Sequence, residues 1–318
     1  MNRIFARLTS PAAAPVIVTA IAILASIACA PAAMAQEDYR TPQNAVEALV
    51  AAARSGDQKA ALVVLGHAGE DIISSGDKVS DDAVRERFVK SYDTKHDIAM
   101  RGDNRSILVI GDNDYPFPIP ILRNKNGTWS FDTEEGRREI LYRRIGHNEL
   151  RAIQTCLAYV DAQNDYAEKD RGAGSGVYAQ RFISEAGTKD GLYWPTAAGE
   201  EESPLGELFA AATREGYRAG QGRSPYHGYY YKILTKQGPA AAGGAADYIV
   251  NGKMIGGFAL VAYPAEYRNS GVKTFIVNYA GTVYEKDLGH DTDEIAEKMT
   301  AFNPGPGWKK VDAPAPVN

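Results

Sequence analysis

The stretch 147–167, HNELRAIQTCLAYVDAQNDYA, places Leu150, Ile153, Leu157 and Val160 at intervals of three and four residues. That period is one face of an amphipathic helix of about five turns, which must find an apolar surface to cover it. The chain supplies one downstream. From residue 228, runs rich in β-branched and aromatic residues alternate with turn residues at 228–235, 247–250, 253–263, 273–278 and 282–286. Asn251-Gly252 joins the second run to the third as a two-residue hairpin, and Tyr279-Ala280-Gly281 joins the last two. The expected product is a four- to five-stranded antiparallel meander with the helix packed on it.

Strand parity then divides the aromatic stretch 225–238, PYHGYYYKILTKQG. Side chains alternate across a sheet, so Tyr229, Tyr231 and Ile233 share one face, and Tyr230, Lys232, Leu234 and Lys236 the other. The first set is expected to meet the helix face carrying Leu150 and Leu157. Tyr226, His227 and Tyr230 remain as the candidate ligand-binding residues.

Upstream, helices are expected at 41–54, with Thr41 as N-cap, Pro42 in the first turn and Gly56 as the stop, at 57–65, and from Ser80 onward. Strands follow at 106–110 and 118–122, and Asn126-Gly127 returns the chain so that Trp129 and Phe131 share a face. The reading is an α+β protein in two parts. Residues 36–144 form helices on a small antiparallel sheet, and 145–310 form the long helix with its meander. Residues 171–224 read as turn-rich, with one helical piece at 205–213, and 311–318 as a proline-rich tail.

The first residues carry Arg3 and Arg7, an apolar run at 16–28 and the small-x-small pattern Ala33-Met34-Ala35. This is the pattern of a secretory signal peptide cleaved after Ala35, and it places the mature chain in the periplasm. The run is shorter than the ~20 residues that span a bilayer, so no transmembrane segment is expected after cleavage. Ala28-Cys29 leaves a lipoprotein at Cys29 as the alternative. Cleavage removes two arginines and no acid, so the net charge of −5 becomes −7. A chain so charged is not a nucleic-acid binder. Cys156 is then the one cysteine left and the mature chain forms no internal disulfide; its core alone must hold it together.

The patterns that carry chemistry are incomplete. Asp112, Asn113 and Asp114 lack the glycine and glutamate of a calcium loop, and Pro116 and Pro118 interrupt it. His67, His96, His147, His227 and His290 have no metal-site spacing, so neither metal nor cofactor is expected. There is no nucleophile elbow and no dinucleotide loop. The function expected is a non-catalytic binding or assembly module whose partner is an envelope protein or a cell-wall component. The alternative is a periplasmic hydrolase near His227, with His227 as base and Asp247 or Asp190 as its orienter.

The run HGYYYKILTKQGPAAAGGAADYIVNGKMIGGFALVAYPAEYRNSGVKTFIVNYAGTVYEKDLG, with DGLYWP and SPLG upstream, resembles the exported bacterial family designated domain of unknown function 2950. The likeness covers nearly all of the mature chain and implies no activity and no catalytic residue. The segments 162–166, 228–231, 262–264, 271–275 and 280–283 are also similar to the heads of type IV pilin-like proteins. That resemblance implies a pilin-head-like second part. It does not imply a pilus subunit, because the helix carries Arg151, Asp161 and Asp165 and the apolar N-terminal segment is a cleavable signal. The first part is similar in outline to NTF2-like folds.

Overall fold

The computed structural model describes residues 36–74, 78–197, 199–214 and 225–312. The expected signal peptide, residues 215–224 of the turn-rich stretch and most of the proline-rich tail lie outside the described residues.

The chain enters as an extended segment. Gln36 donates its side-chain amide to the carbonyls of Val64 and Phe131, at 3.1 and 2.7 Å. Tyr39 exchanges two backbone hydrogen bonds with Trp129. Helix α1 (Pro42–Ser55) begins as its sequence dictates. Thr41 accepts from the backbone N–H of Asn44 with Pro42 in the first turn, and Gly56 takes the left-handed conformation that ends the helix. Then follow α2 (Gln58–Leu65), capped by Asp57, the short α3 (Glu70–Ile73) and α4 (Lys78–Thr94), which starts ahead of the expected Ser80.

Strands β1 (His96–Met100), β2 (Arg105–Ile110), β3 (Tyr115–Pro116), β4 (Ile121–Arg123) and β5 (Trp129–Phe131) form one antiparallel sheet. β1 is an addition to the expected set. Its sequence HDIAM is exposed at both ends, so it carries no alternation strong enough to be read. Trp129 and Phe131 are both buried, as their shared face requires. They join Val46, Leu49, Leu108 and Ile121 in a first core.

Helix α5 (Thr133–Glu168) is one continuous helix of 36 residues, capped by Asp132, and it crosses the expected boundary at 144/145. Residues 133–146 carry only a short apolar cluster, Ile140, Leu141, Tyr142 and Ile145, none of it buried, so no long apolar stripe announces them. A helix of that kind bridges two packed bodies. No residue of 137–151 belongs to the buried set of either core, while Ala152, Ile153, Cys156, Tyr159 and Val160 enter the second.

After α6 (Gly206–Arg214), the second part holds β6 (Tyr229–Leu234), β7 (Lys236–Gln237), β8 (Ala246–Asp247), β9 (Ile249–Val250), β10 (Lys253–Met254), β11 (Ala259–Pro264), β12 (Lys273–Asn278), β13 (Tyr284–Asp287), α7 (Thr292–Lys298), β14 (Ala301–Phe302) and β15 (Lys309–Lys310). The main sheet has the order β15-β13-β12-β11-β6 and is antiparallel throughout. Asn251-Gly252 does turn β9 into β10, but this hairpin lies outside the main sheet. The expected single strand 253–263 is broken by Gly256-Gly257. A side chain at Gly256 would strike the Asp247 carbonyl, and Gly257 has φ +130. TDEIAEKMTAF reads as one short helix over 292–302, but α7 stops at Lys298 and the last residues become β14, which pairs in parallel with β7. Trp308 and Val311 pack on the second core, which makes the start of the expected tail part of the fold.

All six residues of β11 are buried. The sheet is covered on both faces, by α5 on one and by α7 with β14 on the other. This corrects the parity reading. Tyr229 is fully buried on the α5 face as expected, but Tyr231 and Ile233 are only half-buried, and Leu234, on the α7 face, is fully buried. Leu150 is 37% exposed, whereas Leu157 packs against the second core as expected. Each large apolar side chain taken from water here contributes about 1.5–3 kcal/mol, which is how a core without a disulfide sustains this part. Among the described residues no helix is long and apolar enough to cross a membrane.

Candidate functional site

The structure gathers two of the three sequence candidates and separates the third. Tyr226 and Tyr229 exchange backbone hydrogen bonds at 2.8 and 3.1 Å around His227 and Gly228, both of which have positive φ. Two positive φ values in a two-residue turn suit Asn-Gly, and a histidine in the first position departs from that preference. The Tyr226 and His227 rings lie 4.1 Å apart, and His147 of α5 meets His227 edge-on at 6.4 Å. Gly228 has no room for a side chain, since a Cβ would come within 2.6 Å of the Asn148 amide. Glu149 pins the other side by accepting from the backbone N–H groups of Val272 and Lys273, at 2.9 and 3.0 Å. Tyr230 stands apart. It packs on Tyr263 across β11, on the face where Lys232 donates to the last carbonyls of α7, Glu297 and Met299.

Neither proposed orienter reaches His227. Asp190 accepts from Thr188 and from the Glu185 backbone N–H and faces Arg181. Asp247 pairs with Lys236 beyond the far end of β6. Nine residues of extended chain between His227 and Lys236 set Asp247 about 30 Å from His227.

A second constellation lies at the other end of the α5 segment that covers the sheet, about 30 Å along the helix at 1.5 Å per residue. Lys169 and Arg171 follow the last turn of α5, where cations complement its dipole. Glu201 receives Lys169 at 2.6 Å, Arg171 at 2.8 Å and Lys189 at 3.7 Å. Hydrogen bonds from Lys169 and then Arg171 hold its carboxyl at about 2, far below the ordinary carboxylate range. The Arg171 side chain is only 4% exposed. Its guanidinium lies 5.0 Å over the Trp194 ring, and the Lys189 ammonium lies 5.2 Å from the same ring. Tyr166 closes the floor and donates to the Lys189 carbonyl at 2.8 Å.

The local chain path explains the assembly. Leu205 N–H bonds the Leu192 carbonyl and Glu200 N–H the Ala197 carbonyl. These two bonds fold the segment carrying Glu201 back along the one carrying Trp194. Arg171 Nε and Trp194 Nε1 are buried and have no hydrogen-bond partner among the described residues. Leaving such groups unmade costs about 1–3 kcal/mol each, so two of them in one ring contact mark a place built for more than packing.

A family model described as Protein of unknown function (DUF2950) matches residues 36–311, most of the 318-residue chain. The chain belongs to the DUF2950 family. No curated protein and no solved structure matches it. The cradle around Trp194 and the turn at His227 of this DUF2950 chain both lie inside the matched span. Sequence reasoning missed the cradle because its members are scattered from 166 to 203. The visible signals were a tryptophan and the acidic run Glu200-Glu201-Glu202, both in a turn-rich stretch. Among the described residues no group of three or more His, Cys, Asp or Glu could hold a metal ion.

Proposed function

We propose that this DUF2950 protein is exported by a signal peptide cleaved after Ala35 and acts in the periplasm or envelope as a non-catalytic binding or assembly module. The observation that carries the binding reading is the cradle, in which a buried arginine and the tryptophan ring beneath it each keep an unpartnered donor. Such donors hold and orient a ligand, and nothing in the cradle supplies a nucleophile paired with a base. Export is supported by the way the chain from Gln36 onward is stitched into the first core. The partner fitting this setting is an envelope protein or a cell-wall component.

The test is co-sedimentation of the purified protein with separated envelope fractions, namely cell-wall sacculi and membrane proteins. The protein is expected to pellet with one fraction and to leave that fraction chemically unchanged. Failure to pellet with any fraction contradicts the binding reading. Release of soluble fragments, lost on His227→Ala, would replace it with the hydrolase.

A further inference from the structure

We propose that the cradle is a carboxylate-recognition site for an acidic peptide segment, held closed in this structure by the chain's own Glu201. The inference rests on the binding-module reading and names the ligand class.

Its first support is chemical. Three cations converge on one carboxylate, and Arg171 presents a planar fork whose charge cannot be removed by deprotonation. An arginine buried to this depth needs an anion, so the class of group that fits is fixed by the cradle. Its second support is what the internal carboxylate leaves undone. Glu201 reaches Arg171 through Nη1, while Arg171 Nε and the Nε1 of the Trp194 ring beneath it stay unpartnered. A ligand carboxylate with neighbouring peptide groups could engage what Glu201 does not.

The third support concerns the ligand's nature. The present occupant is itself an acidic peptide, the run Gly199-Glu200-Glu201-Glu202-Ser203, of which one carboxylate is seated and two are not. The Glu201 side chain is 37% exposed, and Lys169 and Lys189 are about half-exposed. Exchange therefore begins from solvent, with the two lysines making first contact and Arg171 receiving the carboxylate last. Tethering places Glu201 at an effective concentration of roughly millimolar, so it acts as a built-in competitor that only a multivalent acidic segment overcomes.

The experiment is calorimetric titration of wild-type protein, Glu201→Ala and Glu201→Gln with a synthetic peptide of sequence Gly-Glu-Glu-Glu-Ser, blocked at both ends. Both variants are expected to bind it roughly tenfold or more tightly than wild type, the factor by which a tethered competitor weakens an outside ligand. Replacing the peptide's glutamates by glutamines should abolish binding, and so should adding Arg171→Ala to Glu201→Ala. Arg171→Lys in the same background, which keeps the charge and loses the fork, checks against simple unfolding and should bind weakly. Equal affinity of wild type and both Glu201 variants, or equal binding of the glutamine peptide, overturns the proposal. Should the peptide fail while the protein still pellets with an envelope fraction, the carboxylate assignment falls and the binding-module reading stands.

Discussion

Gln163 and Ala179 exchange two hydrogen bonds inside the second core: the side-chain amide donates to the Ala179 carbonyl at 2.8 Å, and its oxygen accepts the Ala179 N–H at 2.9 Å. A helix side chain thus serves as the missing strand partner for the extended segment that follows the end of α5. The same amide nitrogen also donates to the Tyr159 hydroxyl at 2.9 Å. The segment leading toward Trp194 is fixed to the helix through this pair.

Gln163→Leu keeps the volume and removes both bonds. The Ala179 N–H and carbonyl would be left buried without partners, at about 1–3 kcal/mol each. We expect a loss of about 2–4 kcal/mol in urea unfolding. A loss below about 0.5 kcal/mol, the range of a surface substitution, would show that the pair contributes nothing.

Gly136 lies buried in α5, and helix propensity alone says that Ala should stabilise it by about 1 kcal/mol. The local packing says the reverse. A Cβ there would sit 2.6 Å from Ile119, which is fully buried. Overpacking costs about 1–3 kcal/mol and outweighs the propensity gain. Gly136→Ala should lower the denaturation midpoint, and a raised midpoint would refute the contact.

Glu201 gives a pH signature. A carboxylate whose folded value is depressed contributes stability above its unfolded value and loses it as pH falls through the folded one. The advantage of wild type over Glu201→Gln should therefore be full above pH 4.5 and close between 4.5 and about 2. Thermal melts of both proteins across that window measure it. A gap that does not change with pH contradicts the cradle geometry.

Cys156 is fully buried and free, and burial pushes its thiol well above the ordinary range. It should resist an aromatic disulfide reagent in the native protein and react at the rate of unfolding. Site-resolved mass spectrometry checks this. Rapid native labelling would place the residue outside the core.

Much of this was legible where the cause is local. Thr41, Pro42 and Gly56 mark α1, and Asn251-Gly252 marks a hairpin, because capping and positive φ are properties of a few adjacent residues. What failed depends on the other side of the sheet. Leu234 reads as an outward residue until α7 returns to cover it, and α5 between 133 and 146 has too short an apolar cluster to announce it. His227 and Tyr226 could be singled out as neighbours along the chain, whereas Arg171, Trp194 and Glu201 meet only after three loops have folded. No spacing rule contains such a meeting.

The three tryptophans offer the most direct test of the central claim, that the cradle at the end of α5 is where this module binds. Trp129 lies in the first core, Trp308 packs on the far edge of the second part, and Trp194 floors the cradle. With nitrogen-15 in the indoles, the purified protein is titrated with a solubilised digest of the envelope and the three N–H resonances are followed. The account predicts that Trp194 moves and saturates, its unpartnered donor gaining an acceptor, while Trp129 stays fixed. A Trp194 resonance that stays in place while the digest binds would contradict it.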